Sequence, residues 1–282
     1  MRKLGGGLVV FVFLIPLLCP PLAHAQAATA AAAAPELSAD QIKAFLKNAK
    51  VMGSHTTNKG VTAPKRLTLS DGTLTHDAVF QAIDDHQNVA TLGGGGRMSN
   101  TELRFVDSYK YNVAAYEVAR LVGLDFMMPV YVERRWDGQT GSISWFVPTM
   151  MDESDRLKKK IEPPNAAEWN NQMYRMRVFS SLLRDTDRNL TNVLITPEWK
   201  LMMIDFTRAF RLQPELLHAR DLNKIDRRLL SRLEGLNRGT VAQATRNFLT
   251  GQEVDAMMVR RDLIVTHFKE LITALGEDKV LY

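Results

Sequence analysis

Residues 187–206 read Asp-Arg-Asn-Leu-Thr-Asn-Val-Leu-Ile-Thr-Pro-Glu-Trp-Lys-Leu-Met-Met-Ile-Asp-Phe, and this stretch decides how the rest of the chain is interpreted. Two short apolar runs, separated by a break at Pro197, predict two strands joined by a turn. Polar residues flank this predicted hairpin, because Asp187 and Asn192 precede it and Asp205 follows it. The stretch therefore predicts a small ribbon with two acids and an amide near its open end.

The register of the predicted hairpin follows from the length of its turn. A four-residue turn from Pro197 to Lys200 places Asn192 directly opposite Asp205. Opposed residues on antiparallel strands have Cβ atoms about 5 Å apart, close enough for two side-chain oxygens to hold one divalent ion. Magnesium suits such a pair, because it takes few protein oxygens and completes its octahedron with water and phosphate. Asn192 and Asp205 are therefore the candidate ligands of Mg²⁺ or Mn²⁺.

Asp187 precedes Asn192 by five positions, and we expect it on the loop that leads into the same cleft. A carboxylate placed there can accept the proton of an attacking hydroxyl. An Asp-x-x-x-x-Asn sequence followed by a further Asp is the arrangement of phosphotransferases. A plainer interpretation is that Asp187 and Asn192 only stabilise a turn, while Asp205 ends a strand and pairs with Arg208 or Arg211.

The sequence upstream of this stretch predicts a small antiparallel sheet with one helix. Alternating apolar residues within 66–83 and within 130–147 predict two hairpins, each with an Asp-Gly pair at its turn. Residues 109–122 have helical spacing, and Gly123 lies where a left-handed C-cap is needed. After Pro214 nearly every segment has helical spacing. The predicted fold class is α+β, with a small antiparallel-sheet lobe and one helix followed by a mainly helical lobe.

The first 25 residues have a charged start, an apolar run and the sequence Ala-His-Ala, which is the plan of a cleavable secretory signal peptide. We therefore expect an exported protein, periplasmic or secreted, with no transmembrane segment in the mature chain. A lipid anchor at Cys19 is the alternative, but the residues before Cys19 lack the usual small side chain. The predicted domains are a signal peptide (1–25), an Ala-rich linker (26–37), an N-terminal lobe (38–149) and a helical C-terminal lobe (150–282).

The composition excludes several classes of function. Hydrophobic residues make up 45% of the chain and charged residues 24%, as in an ordinary globular protein. The net charge of +5 falls to +3 without Arg2 and Lys3, which is too small an excess to suggest a nucleic-acid partner. The one cysteine, Cys19, lies in the predicted signal peptide. The mature chain is therefore not expected to use a disulfide framework, a cysteine-ligated metal or thiol catalysis.

The chain from about residue 65 to residue 210 resembles a known family. Asp-Arg-x-x-x-Asn, two short strands and Ile-Asp-Phe are similar to the motif of the atypical kinases, which include the phosphatidylinositol 3- and 4-kinases, the HipA-type toxin kinases and the secretory-pathway kinases of the Golgi casein-kinase type. The segment 109–121 resembles their regulatory helix. The resemblance implies a bilobed kinase-like fold, a catalytic base at Asp187 and metal ligands at Asn192 and Asp205.

The resemblance also implies that ATP or another nucleotide binds in the cleft with Mg or Mn. In these families a strand lysine contacts the phosphates and pairs with a helix glutamate, whereas Gln81 and Asn112 occupy the matching positions here. A Gln–Asn pair can preserve a hydrogen bond, but it supplies no positive charge, and kinase activity depends on the ion pair. Lys110, Arg97 and Lys65 are candidates for the missing cation.

Two hypotheses follow from these residues. The first is a kinase-like protein that transfers a phosphoryl group to an unknown hydroxyl acceptor, with Gln81, Lys110 and Asn112 on the nucleotide. The second is a pseudokinase that binds a nucleotide or a protein partner without turnover. The neutral pair and the scarcity of ATP outside the cytoplasm favour the second hypothesis. Thr207 is a further departure from the family, since glycine is common after Asp-Phe. The intact acids of residues 187–206 favour the first.

Overall fold

A computed structural model describes residues 37–56, 64–92 and 100–282. The predicted signal peptide, all but the last residue of the predicted linker, and Arg97 lie outside the described residues. The helices are α1 (Ala39–Asn48), α2 (Tyr109–Val122), α3 (Glu153–Lys158), α4 (Ala166–Leu183), α5 (Arg227–Gly235), α6 (Arg238–Thr245), α7 (Gly251–Leu275) and α8 (Glu277–Val280). The strands are β1 (Lys50–Thr56), β2 (Lys65–Ser70), β3 (Thr75–Gln81), β4 (Asp84–Leu92), β5 (Asn100–Ser108), β6 (Tyr131–Trp136), β7 (Gln139–Trp145), β8 (Met151–Asp152), β9 (Val193–Ile195) and β10 (Leu201–Met203).

The N-terminal part is a five-stranded antiparallel sheet with the order β1-β2-β3-β7-β6. Both predicted hairpins are present, as β2–β3 and β6–β7. The Asp71 carboxylate accepts the Leu74 N–H at 2.8 Å, and Gly138 has a φ of 75°, so each Asp-Gly turn forms for a local reason. The alternating apolar side chains of the sheet pack against α1. This small core contains Phe45, Leu46, Leu67, Leu69, Ala78, Phe80, Val132 and Ile143.

Helix α2 joins the sheet to the helical part of the molecule. It spans the predicted residues and ends at Gly123, whose φ of 70° places it in the left-handed region. It contacts β6 and β7 of the sheet, and also α5 and α6. Its apolar residues belong to the larger core, together with those of α4 and α7. Because α2 packs against both the sheet and the helices, a movement of α2 would displace residues in both parts.

The remaining elements form two small ribbons and a set of packed helices. Strands β10-β9-β8 make a three-stranded sheet beside α4, and α7 packs against α4, α5 and α6. The predicted α+β order, a small antiparallel sheet followed by a mainly helical region, is confirmed. Strands β4 and β5 form a separate two-stranded ribbon that the sequence did not predict, and β5 leads directly into α2.

The predicted register of the β9–β10 hairpin was wrong by one residue. Met203 pairs with Val193 and Leu201 pairs with Ile195, so Asn192 lies opposite Ile204 and not Asp205. The loop has three residues, because Trp199 adopts a left-handed conformation with a φ of 59° and closes the turn early. This position usually carries glycine or asparagine, and a bulky tryptophan gives no sequence signal for it.

Leu37–Tyr282 forms one compact unit. The boundary between lobes at residues 149 and 150 remains a prediction. None of the helices in the described ranges combines the length and apolar character needed to cross a bilayer.

Candidate active site

A cleft of about 830 Å³ lies between the five-stranded sheet and the β9–β10 hairpin. Its sheet side includes Gln81, and its hairpin side includes Asn192 and Asp205. Three of the residues that the sequence singled out therefore line one cavity. Most of the other walls are apolar, with Val79, Pro129, Tyr131, Trp145, Phe146, Val147, Met150, Met151, Leu194, Met202 and Ile204 among the lining residues.

Asp205 follows β10 in a left-handed conformation, with a φ of 57°. Its Oδ1 accepts a hydrogen bond from the Thr207 hydroxyl at 3.0 Å. Burial raises the pKa of Asp205 above its usual range, and the nearby charges of Asp107 and Asp187 act in the same direction. The Thr207 hydrogen bond opposes this rise without cancelling it. The site thus collects negative charge, which a cation would neutralise.

The loop before β9 is held by Arg188, which the sequence analysis did not single out. The Arg188 Nε donates to Asp185 Oδ2 at 2.8 Å, and Nη1 donates to the backbone carbonyls of Asn192 at 3.0 Å and Ile204 at 2.6 Å. Its guanidinium carbon lies 4.1 Å from the centre of the Phe206 ring. Arg188 therefore ties the segment before β9 to the segment after β10, and so holds Asn192 and Asp205 on the same side of the hairpin.

Asn192 and Asp187 are joined by a hydrogen bond. The Asn192 Nδ2 donates to the backbone carbonyl of Asp187 at 3.2 Å. The amide nitrogen makes this bond, so it does not compete with metal coordination by Oδ1. A cavity of about 460 Å³ on the other side of this loop is lined by Asp187, whereas the larger cleft is lined by Asn192. The predicted base thus lies beside the cleft, with 39% of its side chain exposed.

The Gln–Asn hydrogen bond that the resemblance to atypical kinases implied is present. The Asn112 Nδ2 donates to Gln81 Oε1 at 2.9 Å and to the Ser142 hydroxyl at 3.3 Å. Its Oδ1 accepts the backbone N–H of Phe206 at 2.7 Å, and the residue is only 1% exposed. The third bond was not predicted, and it connects α2 to the segment that carries Asp205. Asn112 is therefore a buried junction between both sides of the cleft.

Lys110 does not line the cleft. Its Nζ contacts Asp84 Oδ2 at 2.9 Å, and the Ser108 hydroxyl donates to the other carboxylate oxygen at 2.6 Å. Although burial opposes ionisation, these hydrogen bonds and one from His86 lower the pKa of Asp84 to about 2. Lys110 thus has an ionised partner on β4, outside the residues that form the cavity. A direct contact between Lys110 and a nucleotide stays a prediction.

Asp107 is the site residue that the sequence analysis missed. It is 5% exposed, its Oδ2 accepts from Arg208 Nε at 3.2 Å, and its Oδ1 is buried without a hydrogen-bond partner among the described residues. It also raises the pKa of Asp205, which places the two carboxylates near each other. A buried acid with an unpartnered oxygen is the kind of group that a divalent metal would satisfy. The one feature of the sequence that could have identified Asp107 is its position just before the predicted helix α2.

The donor set fits an ion that takes few protein ligands. Within the described ranges, no three His, Cys, Asp or Glu side chains are grouped closely enough to hold a metal by themselves. Asn192, Asp205 and Asp107 offer oxygens only, which suits Mg²⁺ or Mn²⁺ completed by phosphate and water. A structural zinc site, which needs four nitrogen or sulfur ligands in most cases, does not fit this set.

Gly141 lies directly behind Gln81, and Gly141→Ala is expected to lower the free energy of unfolding by about 1–3 kcal/mol. A Cβ at residue 141 would lie 2.4 Å from the Gln81 carbonyl oxygen and 2.8 Å from the Phe80 ring. Urea denaturation checks this value. Gly53→Ala is the matched control, because Gly53 lies in β1 of the same sheet and, apart from its chain neighbours, no described atom lies within 4 Å of its added Cβ. Equal stability of the Gly141 variant and the wild type would contradict the close packing behind Gln81.

Sequence comparisons identify no relative. No protein-family model matches the chain. A search of curated protein sequences also finds no match.

The fold matches solved structures of kinases and kinase-like proteins. Hydra Fam20, solved with sugar, aligns with a TM-score of 0.63 at 13% identity, over 86% of this chain and 91% of that chain. The Golgi casein kinase with Mn/ADP bound aligns with a TM-score of 0.57 at 14% identity, over 86% of this chain and 78% of that one. The proinflammatory kinase CtkA of Helicobacter pylori has a TM-score of 0.50 at 8% identity, over 83% and 97% of the two chains. The chain therefore has the kinase-like fold that the resemblance to atypical kinases implied.

Proposed function

We propose that this protein is an exported kinase-like protein that binds a nucleotide with a divalent metal ion and transfers the terminal phosphoryl group to a hydroxyl acceptor. The observation that carries the proposal is the placement of Asn192 and Asp205 in one large cleft, with Asp187 bonded to Asn192 beside it. A kinase-like neighbour that holds Mn and ADP supports the nucleotide and the metal.

Each residue has a defined role in the proposed transfer. Asp187 accepts the proton of the acceptor hydroxyl as the hydroxyl oxygen bonds to the terminal phosphorus. The bond between that phosphorus and the bridging oxygen breaks, and the nucleoside diphosphate leaves. Asn112 holds Gln81 and the Phe206 backbone in place, so that the two sides of the cleft keep their spacing. The apolar walls exclude water from the base and ribose of the nucleotide.

The metal would be held by Asn192 and Asp205, with Asp107 as a further candidate ligand. Bound there, it would supply positive charge to the phosphate oxygens. The raised pKa of Asp205 and the unpartnered Oδ1 of Asp107 both indicate a site with surplus negative charge. Loss of one of these carboxylates should therefore lower the affinity for the metal, with little loss in the free energy of unfolding.

The second candidate function is a pseudokinase that binds the nucleotide without turnover. The neutral Gln81–Asn112 hydrogen bond favours it, because a kinase has an ion pair at this place. The contact of 3.7 Å between Arg208 Nη1 and Asp187 Oδ2 also favours it, because Asp187 must leave this contact before it can bind an acceptor hydroxyl. If the protein is exported, the scarcity of ATP outside the cytoplasm would also favour a pseudokinase over an active kinase.

Thermal unfolding and phosphate transfer distinguish these functions. We expect ADP with Mg²⁺ or Mn²⁺ to raise the melting temperature of the wild type, and ADP with a chelator to have a much smaller effect. Labelled ATP and a set of generic hydroxyl acceptors then measure transfer, with Asp187→Asn as the variant that keeps nucleotide binding. A metal-dependent shift without transfer would support the pseudokinase. No shift with any nucleotide and metal would contradict both functions.

A further inference from the structure

The cleft lacks the positive charge that a nucleotide phosphate requires from the strand lysine of a kinase. Gln81 lies at that place and accepts a hydrogen bond from Asn112. Lys110, one substitute that the sequence offered, is held by Asp84. The carboxylates of Asp107, Asp187 and Asp205 add negative charge to the same region, since the first and the third interact and Asp187 also acts on Asp205. A nucleotide with several negative charges needs a cation beside the metal, and the described residues point to one in the segment that follows Asp205.

We propose that Arg208 supplies this charge and binds the nucleotide's phosphate groups from the segment after Asp205. The inference rests on the proposed function, which it deepens. Arg208 Nε lies 3.2 Å from Asp107 Oδ2, and its Nη1 lies 3.7 Å from Asp187 Oδ2. The guanidinium thus lies between the candidate base and a candidate metal ligand, three residues beyond Asp205 in the chain. The transferring phosphoryl group would have to lie in the same region.

The backbone of Arg208 is fixed, so its side chain starts from a defined position. The Thr186 hydroxyl donates to the Arg208 carbonyl at 3.1 Å, which joins this residue to the loop that carries Asp187. The neighbouring Thr207 carbonyl accepts the Ser108 N–H at 2.9 Å, which joins the segment to the start of α2. The guanidinium carbon lies 5.1 Å from the centre of the Phe105 ring. These contacts hold the group near both carboxylates while 30% of the side chain remains exposed.

The chemistry of arginine suits this role. A guanidinium carries five N–H donors in a planar fork, so one edge can keep a carboxylate while another edge binds a phosphate oxygen. The 3.7 Å separation from Asp187 is longer than a hydrogen bond, so Nη1 can turn to a phosphate at little cost. This exchange would also release Asp187 to act as the base. Arg208 would therefore couple nucleotide binding to activation of Asp187.

Other cations near the cleft fit less well. The Arg188 guanidinium is 8% exposed and its donors are used by Asp185 and by backbone carbonyls. Lys158 lines the cleft and is exposed, but no contact joins it to Asp187, Asp205 or Asp107 in the described part of the chain. Lys158 is the competing source of charge, and the experiment must separate it from Arg208.

The test compares the binding of ADP and of adenosine, each with Mg²⁺, by titration calorimetry. Adenosine lacks phosphates, so the ratio of the two dissociation constants reports phosphate recognition alone. We expect Arg208→Met to weaken ADP binding about ten- to hundredfold, the loss of a charge-assisted hydrogen bond, and to leave adenosine binding unchanged. Arg208→Lys should fall between the wild type and Arg208→Met. Lys158→Met tests the competitor, and Arg238→Met is the matched control, since Arg238 pairs with Asp255 on the exposed helical surface.

Each outcome has a separate meaning. An unchanged ADP affinity of folded Arg208→Met, with wild-type binding of ADP intact, would overturn the inference and leave nucleotide binding in place. A larger loss in Lys158→Met than in Arg208→Met would assign the charge to Lys158 instead. If neither ADP nor GDP binds the wild type, the proposed function itself is wrong, and the inference falls with it. Circular dichroism and thermal unfolding of each variant confirm that it is folded before its affinity is compared.

Discussion

Asp205→Asn is expected to raise the melting temperature of the metal-free protein while it abolishes the stabilisation by ADP with Mg²⁺. Burial and the charges of Asp107 and Asp187 raise the pKa of Asp205, so its ionised form destabilises the folded state at neutral pH. Asparagine removes that charge and tolerates the left-handed φ of 57° at this position. In a protein of this size, each kcal/mol added to the free energy of unfolding raises the melting temperature by about 2–4 °C.

The pH dependence has a definite sign. The folded pKa of Asp205 lies above the value of the unfolded chain, so the folded state binds the proton more tightly. Stability from this group is therefore present below the unfolded pKa of 3.8 and is lost as the pH rises through the folded pKa. The difference in melting temperature between Asp205→Asn and the wild type should vanish at pH values below that of the unfolded group. It should reach its full size above the folded pKa.

Asp255→Asn is the control for Asp205→Asn, because Asp255 is exposed, pairs with Arg238 and does not line the cleft. It should change neither the metal-free melting temperature nor the shift with ADP and Mg²⁺ by more than a degree or so. Scanning calorimetry across a pH series measures both quantities. A folded Asp205→Asn protein that keeps the wild-type shift with ADP and Mg²⁺ would remove Asp205 from the metal site.

Asn112→Glu is expected to destabilise the protein by about 3–5 kcal/mol, the cost of an unpaired buried charge. Asn112 is 1% exposed, and a carboxylate there would lose the two donor bonds to Gln81 and Ser142. The double variant Gln81→Lys/Asn112→Glu should recover much of this loss, because it restores the ion pair that kinases place here. Urea denaturation of the wild type, both single variants and the double variant gives the coupling energy.

The same four proteins also test how a positive charge at residue 81 affects ADP binding. The double variant should gain ADP affinity, because residue 81 lines the cleft and a lysine there would add a positive charge to it. Gln81→Lys alone is the control for charge in the cleft without the buried carboxylate. A double variant no more stable than Asn112→Glu would show that residues 81 and 112 do not interact as their 2.9 Å hydrogen bond indicates.

Local chemistry predicted many of the elements. The β2–β3 and β6–β7 hairpins followed from Asp-Gly turns between alternating residues, and α2 ended at the expected Gly123. These signals are short-range, because a turn or a helix cap is decided by neighbours within a few residues. The hydrogen bond between Gln81 and Asn112 was also anticipated, but from the resemblance to atypical kinases, since no local pattern joins residues 31 positions apart.

By itself, the sequence determined the small sheet, the helical region after it and the motif that carries Asp187, Asn192 and Asp205, because turn residues and side-chain periodicity act locally. Only the tertiary structure decided the one-residue register change at Trp199 and the meeting of Arg208 with Asp107. The first accompanies the packing of Trp199 against Trp169 of α4. The second follows because the buried Asp107 carboxylate needs a partner, which a distant segment supplies. The sequence of either segment alone does not predict the contact between Arg208 and Asp107.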